Sequence, residues 1–130
     1  MRFIAEHHRA VLATTRADGG PQLSLVAAAS AEDGTVVVSS REAAMKTKNL
    51  RRRPRGTLLV FTDSFYGPWV QVEGPVEVVS LPDAMEPLVS YYRAVAGEHP
   101  NWDEYRAAMQ AEGRVLLRMT VERAGPDRSG

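Results

Sequence analysis

The residues best placed to do chemistry lie in "MKTKNLRRRPR", residues 45–55, which carries Lys46, Lys48, Arg51, Arg52, Arg53 and Arg55 and no acid. The whole chain is neutral, with 16 basic and 16 acidic residues; outside this stretch 10 basic residues face all 16 acids. A basic segment on an otherwise acidic chain suits an anion. Lys46 and Lys48 are also the only lysines. Thr47 puts a hydroxyl between the two ammonium groups, close to a strand end and a helix start. Backbone N–H groups and positive potential at such a junction suit a phosphate. The plainer reading is a set of solvated cations near a helix C-terminus, where the macrodipole favours them, and it fits Arg51, Arg52 and Arg53 best. On a regular helix Lys46 and Lys48 point apart. Both reach one anion only if the helix starts late or their stems curl round it.

Other chemistry is thinly represented. There is no cysteine, hence no disulfide, thiolate ligand or cysteine nucleophile. The histidines are His7, His8 and His99, with no HExxH and no ligand-spaced partners. His99, in "GEHPN", reads as a solvated loop histidine. The chain has no G-x-S-x-G elbow, Walker loop or G-x-G-x-x-G. Asp103 and Glu104 read as first-turn helix residues. With no acid, base or nucleophile evident, an enzyme built on this chain leaves the chemistry to a bound cofactor. Phe65, Tyr66 and Trp69 cluster in "DSFYGPW", and Tyr91, Tyr92, Trp102 and Tyr105 fall on helix-prone segments. Core and rim packing accounts for most of them; an exposed Trp69 would instead stack on a flat ring.

The elements that must position these residues are short. At 130 residues, 44% apolar and 25% charged, the chain is one globular domain, expected over residues 1–123 with a loose tail at 124–130. No secretory leader or membrane-length apolar run is evident, so a cytoplasmic protein is expected. Neutral charge argues against a nucleic-acid coat. Strand-like runs are "AVLATTR" (10–16), "PQLSLVAAAS" (21–30), "TVVVSS" (35–40), "RGTLLVFTD" (55–63), "PWVQVEGPVEVVS" (68–80) and "RVLLRMTVER" (114–123). Asp-Gly turns precede the second and third, and Gly74-Pro75 marks a bulge or bend in the fifth. Helices are expected over 41–52, with Ser39 and Glu42 spaced as a capping box and Pro54 as the stop. A second runs from Asp83 and Glu86 as caps, with Pro87 in its first turn, to Gly97; a third runs from Asn101, with Glu104 three residues on, to Gly113. The sum is mainly β: six antiparallel strands in a small barrel with three helices outside.

In order, "AVLATTRADGGPQLSLV", "VVVSS", "KTKNLRRRPRGTLLV", "WVQVEG", "YYRAVAGEHPNWDEYRAAM" and "RVLLRM" resemble the flavin/deazaflavin split β-barrel proteins. These are the relatives of pyridoxamine 5′-phosphate oxidase known as the PPOX class of F420-dependent oxidoreductases. The resemblance spans about residues 3–122, and its "AGEHPNWDEYRAAM" block points to the deazaflavin branch of actinobacteria. It implies a six-stranded antiparallel split β-barrel and a homodimer with two cofactor sites, each built from both chains. Lys46, Thr47 and Lys48 match residues that hold the cofactor phosphate, with Ser39 and Asn49 beside them. Gln22, Leu23 and Ser24 match the strand along the ring system, and Trp69 and Gln71 reach in from the partner. Leu25 and Ala44 depart from the family pattern, which commonly has Asn and a basic residue there. The implied activity is hydride transfer between reduced coenzyme F420 and a small organic substrate. FMN-dependent oxidation and non-catalytic F420 carriage are the alternatives.

Overall fold

The computed structural model describes residues 2–125. Its strands are β1 (Arg9–Thr15), β2 (Pro21–Ala27), β3 (Ala29–Ser30), β4 (Val36–Arg41), β5 (Arg55–Phe61), β6 (Trp69–Val79), β7 (Arg114–Met119) and β8 (Arg123–Ala124). Its helices are α1 (Arg2–Glu6), α2 (Met45–Arg52), α3 (Met85–Ala96) and α4 (Trp102–Glu112). The strands run β2-β1-β5-β6-β7-β4-β3, with β8 added beside β6, and every pairing is antiparallel. This is the expected split barrel, with two extra two-residue strands and one extra helix among the described residues.

The split occurs in β6. Residues 69–75 pair with β5, and from Val76 onward the strand pairs with β7. The change of partner falls at Gly74-Pro75, where the sequence marks a bend. A side chain at Gly74 would put its Cβ 1.9 Å from the Thr120 carbonyl oxygen, so only glycine fits there. The Pro75 carbonyl accepts from the Thr120 N–H. β7 ends at Met119, short of the expected 123.

Alternation along each strand builds two cores. Leu12, Val36, Val38, Leu58, Val60, Val72 and Leu117 fill the barrel, joined by Ile4 of α1 and Leu50 of α2. Val37 and Leu116 face the other way and pack under α3 and α4 against Leu88, Val89, Tyr105 and Met109. Each such side chain contributes about 1.5–3 kcal/mol when fully buried.

Helix starts show where local signals lose to tertiary ones. α2 begins at Met45 rather than 41, because Arg41 stays in the β4–β7 ladder opposite Arg114. The Ser39–Glu42 capping box does not form. Ser39 lies within β4, Glu42 pairs with Arg51, and the N-cap residue Ala44 offers no side-chain acceptor. α3 likewise starts after Ala84 without an Asp83 cap, and Glu86 instead pairs with Arg106. The third helix matches expectation: the Asn101 side chain accepts from Glu104 N–H at 3.1 Å, and Gly113 closes α4 at φ 61°. Ala124, expected in the tail, pairs with Val72 through β8; residues 126–130 of that tail lie outside the described residues. No helix among the described residues is long and apolar enough to cross a membrane.

Candidate cofactor site

α2 is clamped to the barrel by its own polar side chains. Thr47 is fully buried; its Oγ1 donates to the Arg41 carbonyl at 2.6 Å and accepts from Ser40 Oγ at 2.7 Å. Buried Asn49 donates from Nδ2 to Thr14 Oγ1 at 3.1 Å, and its Oδ1 accepts from Arg52 at 2.9 Å. Arg52 also donates to the Thr15 carbonyl at 3.0 Å. The side chains of Thr47 and Asn49 therefore face inward and are hydrogen-bonded there. The Thr47 hydroxyl is thus engaged within the fold, and its first-turn backbone N–H is the group it has to spare for a ligand.

Lys46 and Lys48 diverge from this clamped helix. Lys48 is exposed, while Lys46 is half-buried with no carboxylate within ion-pair distance among the described residues. Burial, and then the charges of Arg114 and Arg41, push the Lys46 ammonium below its ordinary pKa. Helical N–H groups in a first turn have no intrahelical partner. Here neither a capping side chain nor an acid covers them. An uncovered first turn with a cation beside it suits a phosphate.

The arginines that follow are mostly committed elsewhere. Arg51 grips Glu42 with two bonds, at 2.7 and 2.5 Å, and reaches Ser80 at 2.8 Å. Arg55 pairs with Glu122 at 2.8 Å. Arg53 is exposed and has no ion pair among the described residues. The exposed helix end expected for Arg51, Arg52 and Arg53 is found, with Arg51 and Arg52 in the last turn of α2 and also hydrogen-bonded, and Arg53 without an ion pair among the described residues.

β2 brings its even-numbered residues to the same neighbourhood. Gln22 lies opposite Thr14, the residue that anchors Asn49. Gln22 and Ser24 are part-buried, and neither side chain has a hydrogen bond among the described residues. Leu23 and the family-atypical Leu25 point to the other face, 63% and 84% exposed. On that outer face Leu25, Val11, Leu59 and Gln71 stand in one row across β2, β1, β5 and β6, with Trp69 next along β6. Phe65 and Tyr66 stand 90% and 79% exposed at the row's end, edge to face at 4.7 Å. This corrects the packing role the sequence suggests for those two. Leu59, Phe61, Phe65, Trp69 and Gln71 line an open cavity of about 590 Å³. Gln22 and Ser24 therefore lie on one face of the sheet and Trp69 and Gln71 on the other. One chain alone does not bring the two sets together.

Ser39 faces α3 and α4, on a cavity of about 420 Å³ shared with Tyr91, Tyr92, His99 and Arg114. His99 lies in the loop between α3 and α4, as expected, but is part-buried. Its ring packs at 5.1, 5.7 and 5.5 Å from those of Tyr92, Trp102 and Tyr105. Its Nδ1 accepts from Asn101 N–H at 2.9 Å, which leaves the proton of the neutral ring on Nε2. Tyr105 donates to the Leu88 carbonyl, and burial is the main reason its pKa is pushed up to about 12. The "AGEHPNWDEYRAAM" block thus builds a structural aromatic box. Arg41 and Arg114 escape a sequence reading, because only strand register brings them beside Lys46.

Comparison with known proteins agrees with this fold. A conserved hypothetical protein of Mycobacterium tuberculosis, Rv2991, superposes with TM-score 0.77 at 27% identity, over 95% of this chain and 78% of that one. A structure named F420 reductase superposes with TM-score 0.73 at 20% identity, over 95% and 94% of the two chains. The heme storage protein HutZ of Vibrio cholerae reaches TM-score 0.72 at 16% identity, over 99% and 92%. At such identities the last two show a shared fold. Residues 1–126 match the family model described as pyridoxamine 5′-phosphate oxidase, and the chain belongs to that family.

Proposed function

We propose that the protein is an oxidoreductase that works as a homodimer and uses reduced coenzyme F420 to reduce a small organic substrate. The observation that carries the reading is Lys46: a half-buried ammonium without a carboxylate partner among the described residues, on an uncovered helix start. Those residues fit the phosphate end of a flavin-type cofactor. Family membership and the shared fold with an F420 reductase support the cofactor class.

When bound, the deazaflavin supplies the hydride. The chain supplies binding and orientation. Lys46 and the first-turn N–H groups of α2 hold the phosphate, with Lys48 at the rim. Gln22 and Ser24 offer donors and acceptors to the edge of the ring. Trp69 and Gln71 of a second copy cover the site and exclude water, and the exposed leucine row on the same face is the surface that mates. Lys48 and Arg53, both exposed, favour the carboxylate-bearing tail of F420 over the shorter FMN.

The test is a fluorescence titration of the purified protein with F420 and with FMN at fixed salt. It is followed by stopped-flow oxidation of the reduced cofactor against a panel of quinones, enones and nitroaromatics. The reading expects tighter F420 binding and acceptor-dependent oxidation. Binding of neither cofactor would overturn it, and tighter FMN binding would transfer the assignment to FMN-dependent oxidation. Tight F420 binding without oxidation by any acceptor would favour carriage of the cofactor.

A further inference from the structure

Two arginines meet at the end of the β4–β7 ladder, and the first turn of α2, which carries Lys46, is tied to the same point. Arg41 and Arg114 stand directly opposite one another in register. Like charges so placed repel. Glu112 lies between them, 2.9 Å from Arg114 and 3.6 Å from Arg41. The first turn of α2 is tied to the same point by the bond from Thr47 to the Arg41 carbonyl, 2.6 Å long. A second tie joins the Glu42 N–H to the Gly113 carbonyl at 2.8 Å. The two guanidinium groups accordingly act on Lys46, which has no carboxylate of its own among the described residues. Three cations and one carboxylate leave the cluster at a formal charge of +2. The C-terminal end of α4 offsets roughly half a charge of this, and the remainder is unmatched.

We propose that Arg41, Lys46 and Arg114 form a single anion site matched to a phosphate dianion, with Glu112 as its resident counter-ion. The proposal rests on the reading of Lys46 as a phosphate-binding residue and adds two residues and a competitor to it. Glu112 meets both arginines through one carboxylate oxygen, and a phosphate oxygen can take that place while its other oxygens complete the bidentate pairing that guanidinium groups favour. The Glu112 side chain is 35% exposed and free to turn outward. Arg114, 26% exposed, is the better-shielded ligand; Arg41, 60% exposed, is the weaker.

The experiment is calorimetric titration of the full chain with inorganic phosphate at low and high sodium chloride, for the wild type and single variants. Arg114→Gln is expected to weaken phosphate binding about tenfold, and Arg41→Gln by less. Glu112→Gln is expected to tighten it several-fold, because the site loses its competing charge. Arg2→Gln, on α1 and paired with Glu6, leaves it unchanged. If Arg114→Gln does not fold by circular dichroism, Arg41→Gln and Glu112→Gln carry the test alone. Equal or weaker phosphate binding by Glu112→Gln overturns the proposal, as does wild-type binding by both arginine variants or no binding by the wild type. FMN titration of Lys46→Ala separates the two layers. Weakened FMN binding there, with silent arginine variants, removes only the new inference and leaves the arginines as caps on α4. Unchanged FMN binding by Lys46→Ala removes the Lys46 reading as well.

Discussion

Replacing Lys46 by Met should weaken cofactor binding and stabilise the empty protein at the same time. Met keeps most of the stem and removes the charge. On the binding side, a hydrogen bond to a charged group is worth about 1.5–3 kcal/mol, so affinity for F420 and FMN should fall about ten- to hundredfold. On the folding side, the Lys46 pKa is lower in the folded chain than its ordinary 10.5, first through burial and then through Arg114 and Arg41. Below that lowered pKa the protonated side chain costs folding free energy in full, relative to the neutral amine. The cost fades as pH rises through the folded pKa and is gone above the unfolded one. Lys46→Met should therefore melt a few degrees above the ligand-free wild type at neutral pH, within the roughly 0.5–2 kcal/mol typical when a strained functional group is removed. The difference should shrink as pH climbs towards that of the free amine. Thermal melts across pH, with fluorescence titrations of both cofactors, read both effects. A variant that binds both cofactors like the wild type and melts lower would refute the reasoning, because Lys46 would then be a stabilising surface residue.

Gly74→Ala should destabilise the fold by about 1–3 kcal/mol or more, as overpacking does, because its Cβ meets the Thr120 carbonyl at 1.9 Å; a urea midpoint equal to wild type would contradict the close approach. Asn49→Leu should cost about 1–3 kcal/mol by leaving the buried Thr14 hydroxyl without its donor, and denaturant melts would show it even without cofactor. Leu25→Glu places a charge in the exposed leucine row and should shift light scattering from twice 14.3 kDa towards a single chain; an unchanged dimer mass would move the mating surface elsewhere.

Much of the fold was legible because its signals are local. Strand alternation separates Val36 and Val38 from Val37, and so assigns both cores. Asn101 and Gly113 mark α4 because cap and stop are made within one turn. The start of α2 departs from the local signal of Ser39 and Glu42 because a distant strand overrides it: pairing with Arg114 holds Arg41 in the sheet. Lys46 was legible as a candidate by residue type. The inward turn of Thr47 and Asn49 was not, since it depends on Ser40 and on Thr14, a residue 35 positions away. Nor was the exposure of Phe65 and Tyr66, for an aromatic pair reads the same in sequence whether a core or a second molecule covers it.

The claim that one cofactor site takes residues from two chains is tested most directly by complementation. Chains carrying Lys46→Ala and chains carrying Trp69→Ala with Gln71→Ala are unfolded together, refolded as an equal mixture and titrated with F420 by fluorescence. Each variant alone should bind weakly at every site. In the mixture half of the dimers are mixed, and each mixed dimer holds one site free of substitution, so about one quarter of all sites should regain wild-type affinity. A mixture that binds no better than its two parents, while light scattering shows dimers, would contradict the account.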